Sequence, residues 1–423
     1  MRFFTKFKPS FLISCGIISF SLVSIITYSL VSYTSEPQTK QISKSLELRA
    51  ELSHSLTPFI QNNRMPATAE IDLNNNKELL NIDYTVDSHL QNQAENLFKR
   101  YKPDYGAVVL MDASTGKILA LASYQKDDPN ASNLALRASY PAASLFKIIT
   151  ATAAVEKAGV TPFHTIYYNG GNYTLYRKNV MSDKINRWTR KITLKEAFAR
   201  SINTAFGRLS LEKLEPDDIL NFANRFMFNQ EIPADFKVEK GIANVPETKG
   251  YELTEIASGY NKQNRISPIQ GAMIAATVVN EGKMMIPYII DQLKSTEGKV
   301  VYKGEPLEKG FVMTPESAAK MRQLMEQTVL KGTSRKSFRK LVRDRRFKEI
   351  EMGGKTGHLT GDNPKGRVDW FIGYATDDED QKLAVAAITV NKKYWTVKSS
   401  YIGQFMFRSY FEPIMKKKDV ARR

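Results

Sequence analysis

Hydrophobic and polar positions divide the chain into unequal parts. Phe11 to Tyr33 (FLISCGIISFSLVSIITYSLVSY) carries no charge, and meets the ~20 apolar residues needed to cross a bilayer. Arg2, Lys6 and Lys8 precede it and Glu36 follows, which predicts a cytoplasmic N-terminus with the rest of the chain outside. A cleaved signal peptide would have a shorter apolar run of ~7–15 residues and a small-residue cleavage site. A lipoprotein signal would use Leu12-Ile13-Ser14-Cys15, but the apolar run continues well past Cys15. The pattern favours an uncleaved anchor over residues 11–33 behind a short tail of residues 1–10. The polar stretch after it, broken by Asn74-Asn75-Asn76-Lys77, predicts a juxtamembrane stalk over 34–83.

From Tyr84 the periodicity is that of a packed domain. Leu90, Ala94 and Leu97 share one helical face, whereas Tyr105 to Met111 and Lys117 to Ser123 read as strands around the turn Asp112 to Gly116. A helix is predicted from near Ser144 to Gly159. Thr161 to Arg190 is polar and aromatic and reads as an irregular excursion. Thr193 with Glu196, and Ser267 with Gln270, form capping boxes that start helices, the second with Pro268 at its first turn. Pro216 and Thr314-Pro315 open two more. The basic stretch Lys331 to Lys348 reads as a solvated loop or an anion site. Glu351 to Gly357, Arg367 to Thr376 and Leu383 to Val390 read as strands, and Lys398 to Phe411 as a closing helix. The domain therefore spans 84–412, with a basic tail over 413–423. Strands at both ends with helices between them predict an α+β fold.

Composition narrows the chemistry. The 61 Lys+Arg against 44 Asp+Glu give a formal net charge of +17, which suits an anionic partner. An outside location turns that partner from nucleic acid towards an acidic envelope polymer or lipid head groups. The single cysteine, Cys15, excludes an intrachain disulfide. Four scattered histidines suggest no ligand cluster, so no metal and no cofactor are expected.

The stretch Tyr140 to Gly159 (YPAASLFKIITATAAVEKAG) holds the sharpest chemical signal. Ser144 and Lys147 lie one helical turn apart. A serine hydroxyl needs a base to become a nucleophile. A lysine is such a base only when largely neutral, and bringing its pKa from ~10.4 to ~7 costs about 4–5 kcal/mol, which burial can impose. Ser-x-x-Lys also occurs at Ser114, Ser123, Ser210, Ser317 and Ser337; a solvated pair explains those copies, and the Ser144 helix is the most apolar of the six contexts. Two further triplets follow in order, Ser201-Ile202-Asn203 and Lys355-Thr356-Gly357.

Together these three motifs resemble the signature of the penicillin-binding proteins and serine β-lactamases. AVVLMDASTGKILALAS, YPAASLFKIITATAAVE and GGKTG followed by DWFIGYA are likewise similar to a penicillin-binding protein transpeptidase domain, over about Tyr84 to Phe411. The resemblance implies an antiparallel sheet covered by helices, with the site at its junction with an all-helical lobe. It implies that Ser144 attacks the carbonyl between the last two D-alanines of a peptidoglycan stem peptide, with Lys147 as base and Ser201, linked to Lys355, relaying a proton to the leaving amine. Asn203 would bind the donor backbone, Thr356 its terminal carboxylate, and Gly357 would let the substrate lie close to the strand. The backbone N–H groups of Ser144 and His358 would hold the oxyanion.

The chain departs from the family in three ways. Ala142-Ala143 stands where proline and glycine are common, and His358 where threonine is usual. The region before Tyr84 is too short for a glycosyltransferase module or a large amino-terminal module. The His358 ring is expected near the substrate carboxylate or in solvent. The implied function is a membrane-anchored serine D,D-transpeptidase, acylated by β-lactams, with its domain outside a bacterial cytoplasmic membrane. Its implied partners are stem peptides, β-lactams, the membrane and a separate glycosyltransferase. Alternatives are a D,D-carboxypeptidase or a non-catalytic β-lactam sensor or scaffold; a β-lactamase is disfavoured because no evident group activates deacylating water.

Overall fold

The computed structural model describes residues 42–128 and 130–421. The expected anchor at 11–33, the tail before it and the start of the stalk lie outside the described residues. No helix among the described residues is long and apolar enough to cross a membrane. Two compact units divide between Arg49 and Ala50. The first contributes only residues 42–49 to the description, all helical; everything below concerns the second.

Five strands form the central sheet: β1 (Tyr105–Asp112), β2 (Ile118–Gln125), β3 (Glu351–Asp362), β4 (Lys365–Thr376) and β5 (Lys382–Asn391). All pair antiparallel, in spatial order β3-β4-β5-β1-β2. The β5 sequence KLAVAAITVN is apolar on both sides because it is central and covered on both faces. One face packs on helices Ser88–Tyr101, Arg335–Arg343 and Ser399–Ala421, through a core that includes Phe98, Phe338, Phe371, Phe407 and Phe411. Burying each such side chain contributes roughly 1.5–3 kcal/mol. The other face packs on Pro268–Val279, whose residues are all buried. Gly271 lets that helix sit directly on Ile372 and Ala386. The helical lobe lies between β2 and β3 in sequence and includes Lys147–Ala158, Leu194–Ala199, Asn203–Lys213, Pro216–Arg225 and Tyr251–Ser258. The fold is thus α+β, with antiparallel sheets and flanking helices.

The folded unit departs from the sequence expectation in three places. Residues 68–83, assigned to the stalk, form with Tyr84 the strands Thr68–Leu73 and Asn76–Tyr84 of a second, four-stranded sheet completed by Ile290–Lys294 and Val300–Lys303. Their signal was the alternation Ile71, Leu73, Leu80, Ile82, all buried. The Asn-rich break is the turn between them: Asn74 and Asn75 have φ of 55° and 60°, the conformation that a two-residue hairpin requires. Lys331 to Lys348 is no solvated loop, because it holds the helix Arg335–Arg343, anchored by buried Phe338 and Leu341. The closing helix and the tail read after it are one element, which crosses Pro413 and buries Met415.

Candidate active site

The turn carrying Ser144 is a 3-10 helix, Ala143–Phe146, that leads into the α-helix Lys147–Ala158. Gly159, at φ 60°, closes that helix where the sequence ends it. The turn is fixed from two directions. Trp370 Nε1, on β4, donates to Pro141 O at 3.0 Å. On the other side Gly259 (φ 67°) packs so tightly that a Cβ there would lie 1.9 Å from Ala143 O and 3.1 Å from Ser144 N. Ala143 has φ 48°, a left-handed conformation that costs a non-glycine residue about 1–2 kcal/mol. The turn therefore stores strain beside its reactive serine, held by its neighbours.

Lys147 is fully buried. Its Nζ lies 3.0 Å from Ser144 Oγ and 2.7 Å from Asn203 Oδ1, and also faces Ser258 O, at the end of helix Tyr251–Ser258. Burial first, and the charge of Lys355 second, hold its pKa well below the ordinary lysine value. Both Asn203 Oδ1 and Ser258 O can only accept. A neutral amine must spend its two N–H groups on them, which leaves its lone pair for the Ser144 O–H. This is the geometry of a base poised on a nucleophile.

Lys355, on β3, is also fully buried, and its Nζ donates to Ser201 Oγ and to Thr356 O, both at 2.9 Å. Burial lowers its pKa to about 7. Ser201 sits at φ 55° between two helices of the lobe, the second starting at Asn203. The Asn203 amide is held at both ends, since its Nδ2 donates to Tyr173 O at 2.8 Å. Phe206 and Phe198 each place a ring centroid 5.5 Å from the Nζ of Lys147 and Lys355 respectively, apolar faces that exclude water.

Lys355 keeps its proton less tightly in the folded chain than in the unfolded one, where it titrates at about 10.4. Between about 7 and about 10.4 the unfolded state binds more protons, so stability rises with pH across that window. Below it both states are protonated and the full cost of the buried charge is present. We expect the Tm of the protein, relative to Lys355→Met, to climb from pH 7 to about 9.5. A pH-independent difference would mean that the amine is not shifted.

The structure thus brings Ser144, Lys147, Ser201, Asn203 and Lys355 together. The other three expected residues behave differently, because neighbours along a strand face opposite sides. Gly357 points its missing Cβ at Ala142 to Leu145, with 3.4 Å to the nearest atoms, so the strand lies close against the nucleophile turn. Thr356 and His358 share the other face of β3. The buried Thr356 hydroxyl pairs with that of Thr333. The His358 ring is exposed at the surface, where its Nε2 pairs with Asp369 and it lies 5.5 Å from the Trp395 ring. Asp369 Oδ2 also accepts from Ser399 N at 2.7 Å. Sequence reasoning missed Ser258, Gly259, Thr333 and Asp369. Leu253, Ile256 and Ala257 followed by Gly259 was a legible helix end; nothing local marked the other two. Among the described residues no His, Cys, Asp or Glu cluster could hold a metal.

Comparison with known proteins adds independent findings. A family model described as the penicillin binding protein transpeptidase domain matches residues 106–415. The stage V sporulation protein D of Bacillus subtilis (strain 168) is 27% identical over 351 residues, covering 77% of this chain and 52% of the relative. The peptidoglycan D,D-transpeptidase PbpA of Mycobacterium tuberculosis (strain ATCC 25618 / H37Rv) is 27% identical over 349 residues, covering 74% of this chain and 67% of the relative. The chain thus spans about half the length of the first of these. Among solved structures, the imipenem acyl-enzyme complex of penicillin-binding protein A from M. tuberculosis superposes with a TM-score of 0.65 at 24% identity, over 78% of this chain and 80% of that one.

Proposed function

The chain belongs to the penicillin-binding protein transpeptidase family, and from that premise we propose that it is a membrane-anchored serine D,D-transpeptidase that cross-links peptidoglycan stem peptides and is acylated by β-lactams. The carrying observation is the Lys147 amine, buried and 3.0 Å from Ser144 Oγ, with two acceptor-only oxygens on its other sides. Ser144 attacks the carbonyl of the penultimate D-alanine, and its proton passes to Lys147. The tetrahedral oxyanion is met by the backbone N–H groups of Ser144 and His358, each such donor being worth roughly 2.7–4 kcal/mol. Ser201 gives its proton to the departing D-alanine amine and regains one from Lys355, which donates to it. An incoming amine then takes the acyl group and gives a proton through Ser201 back to Lys355, while Ser144 regains its proton from Lys147 as its ester bond breaks.

The donor lies along the open side of β3, an edge strand that pairs only with β4. An extended peptide can add to such an edge. The anchor rests on the apolar sequence 11–33, and a separate glycosyltransferase would supply the glycan strands. Incubating the protein with a stem-peptide donor, with and without an amine acceptor, tests the reading. Cross-linked product supports it; release of D-alanine alone would make the protein a carboxypeptidase; covalent labelling by penicillin with no turnover of the donor would make it a sensor.

The carboxylate-binding roles of Thr356 and His358 stay part of the proposal: both lie on β3, along which the donor would run, with the Thr356 hydroxyl paired to that of Thr333. His358→Thr should leave the second-order rate of penicillin acylation within about tenfold, the effect of one peripheral hydrogen bond. A loss of several orders of magnitude would bring the ring into the chemistry.

A further inference from the structure

The excursion between the Ser144 helix and Ser201 displays exposed aromatic side chains, with the Arg187 guanidinium 4.9 Å from the Trp188 ring centroid. Tyr173 and Tyr176 are each 60% exposed and Trp188 is 73% exposed. Scattered exposed apolar residues need no explanation, but a contiguous strip does. The segments that carry Tyr173 and Trp188 are tied side by side, and Tyr176 follows in the first of them. Asn172, preceding Tyr173, accepts from Arg190 Nη1 through its Oδ1 at 3.0 Å, and Thr189, following Trp188, donates through its Oγ1 to Asn169 Oδ1 at 2.7 Å. The strip is also continuous with the catalytic cleft. Tyr173 O and Asn172 O accept from the side-chain and backbone nitrogens of Asn203, both at 2.8 Å, and Leu175 O accepts from Tyr251 Oη. One face of the excursion thus holds a residue of the site, while its aromatic rings look outward beside it. Exposed cations, Lys178, Lys184 and Arg187, are interleaved with the rings.

We propose that this strip is a glycan subsite, on which the sugar chain bearing the donor peptide stacks while its stem occupies the cleft. The inference deepens, and rests on, the transpeptidase reading of Ser144. A pyranose ring presents a flat face of C–H groups that packs on an aromatic face, and its hydroxyls and amides reach the polar edges of Tyr and Trp. The cations suit the carboxylates of the attached stems. A lipid surface is the rival occupant, since aromatic residues with lysines also settle at bilayer interfaces.

The test uses the full-length chain with two donors, a free stem peptide ending in D-Ala-D-Ala and the same peptide carried on a short glycan. Tyr176→Ala and Trp188→Ala should each lower kcat/KM for the glycan-linked donor by roughly five- to tenfold, the loss of one stacking contact. They should leave the free peptide and the penicillin acylation rate unchanged, and Tyr176→Trp should restore the glycan-linked rate. Equal losses on both donors, or none on either, would overturn the subsite. If neither donor turns over while penicillin still labels Ser144, the transpeptidase reading has failed by itself. The strip is then judged by quenching of tryptophan fluorescence with stem-free glycan, compared with Trp188→Phe: quenching that depends on Trp188 supports it, and its absence overturns it. Variants that lose binding to anionic phospholipid vesicles while glycan binding is nil would assign the strip to the membrane instead.

Discussion

Ser144→Ala is expected to abolish covalent labelling by a fluorescent penicillin, with a loss of at least about 10⁴-fold, as for removal of other activated serine nucleophiles. The hydroxyl is the one reactive oxygen in contact with the Lys147 amine. Little stability should change, because Ser144 is only partly buried and alanine removes a single polar atom. The discriminating measurement is mass spectrometry of the labelled wild-type peptide. A label on Ser317 or Ser337 would transfer the chemistry to another Ser-x-x-Lys copy. The structure argues against both. Ser317 sits in the first turn of a helix, where its backbone N–H is capped by Thr314, and Ser337 Oγ shares a hydrogen bond with Ser400 Oγ.

Lys147 variants should separate a base from a mere positive charge. Lys147→Met removes the amine while keeping the apolar stem, and acylation should fall by about 10³–10⁴-fold. It leaves Asn203 Oδ1 and Ser258 O without their donor, at roughly 1–3 kcal/mol each, but it also removes the cost of burying an amine, so Tm should move little. Lys147→Arg keeps the charge and the donors but has no accessible neutral form. If Lys147 is the base, the arginine protein is as inactive as the methionine one. Acylation by Lys147→Arg within tenfold of wild type would mean that charge alone suffices, and Lys147 would lose its assignment.

Motifs and elements were legible in the sequence to different depths. Local chemistry carried the helix starts at Thr193 and Ser267, each capped by its own side-chain oxygen though neither closes a full capping box, the turn at Asp112 and the apolar strand β5, because each depends on neighbours within a few residues. The three motifs carried the clustering of Ser144, Lys147, Ser201, Asn203 and Lys355. What one sequence could not express was facing. Which groups Thr356 and His358 pair with depends on how an edge strand is seated, and their partners Thr333, Asp369 and Trp395 come from outside that strand. The strands at 68–84 were hidden for a related reason. Their partners Ile290–Lys294 and Val300–Lys303 come some two hundred residues later, and a short alternating run beside a predicted membrane anchor reads as spacer until its partner is known. The basic helix Arg335–Arg343 was masked by its cations, although two buried apolar residues sufficed to seat it.

The clamp on the nucleophile turn has a practical consequence. Ser144 is shaped by Trp370 through Pro141, by Gly259 against Ala143, and by a lysine whose partners are Asn203 and Ser258. Those groups arrive from segments that fold onto one another only when the sheet and the helical lobe have both assembled. On the proposed acylation of Ser144, penicillin would count finished molecules. The fraction of a preparation that takes up the label is an assay of correctly completed chains, usable during expression, refolding or storage, and it registers a defect planted in any of those segments however far in sequence from the serine.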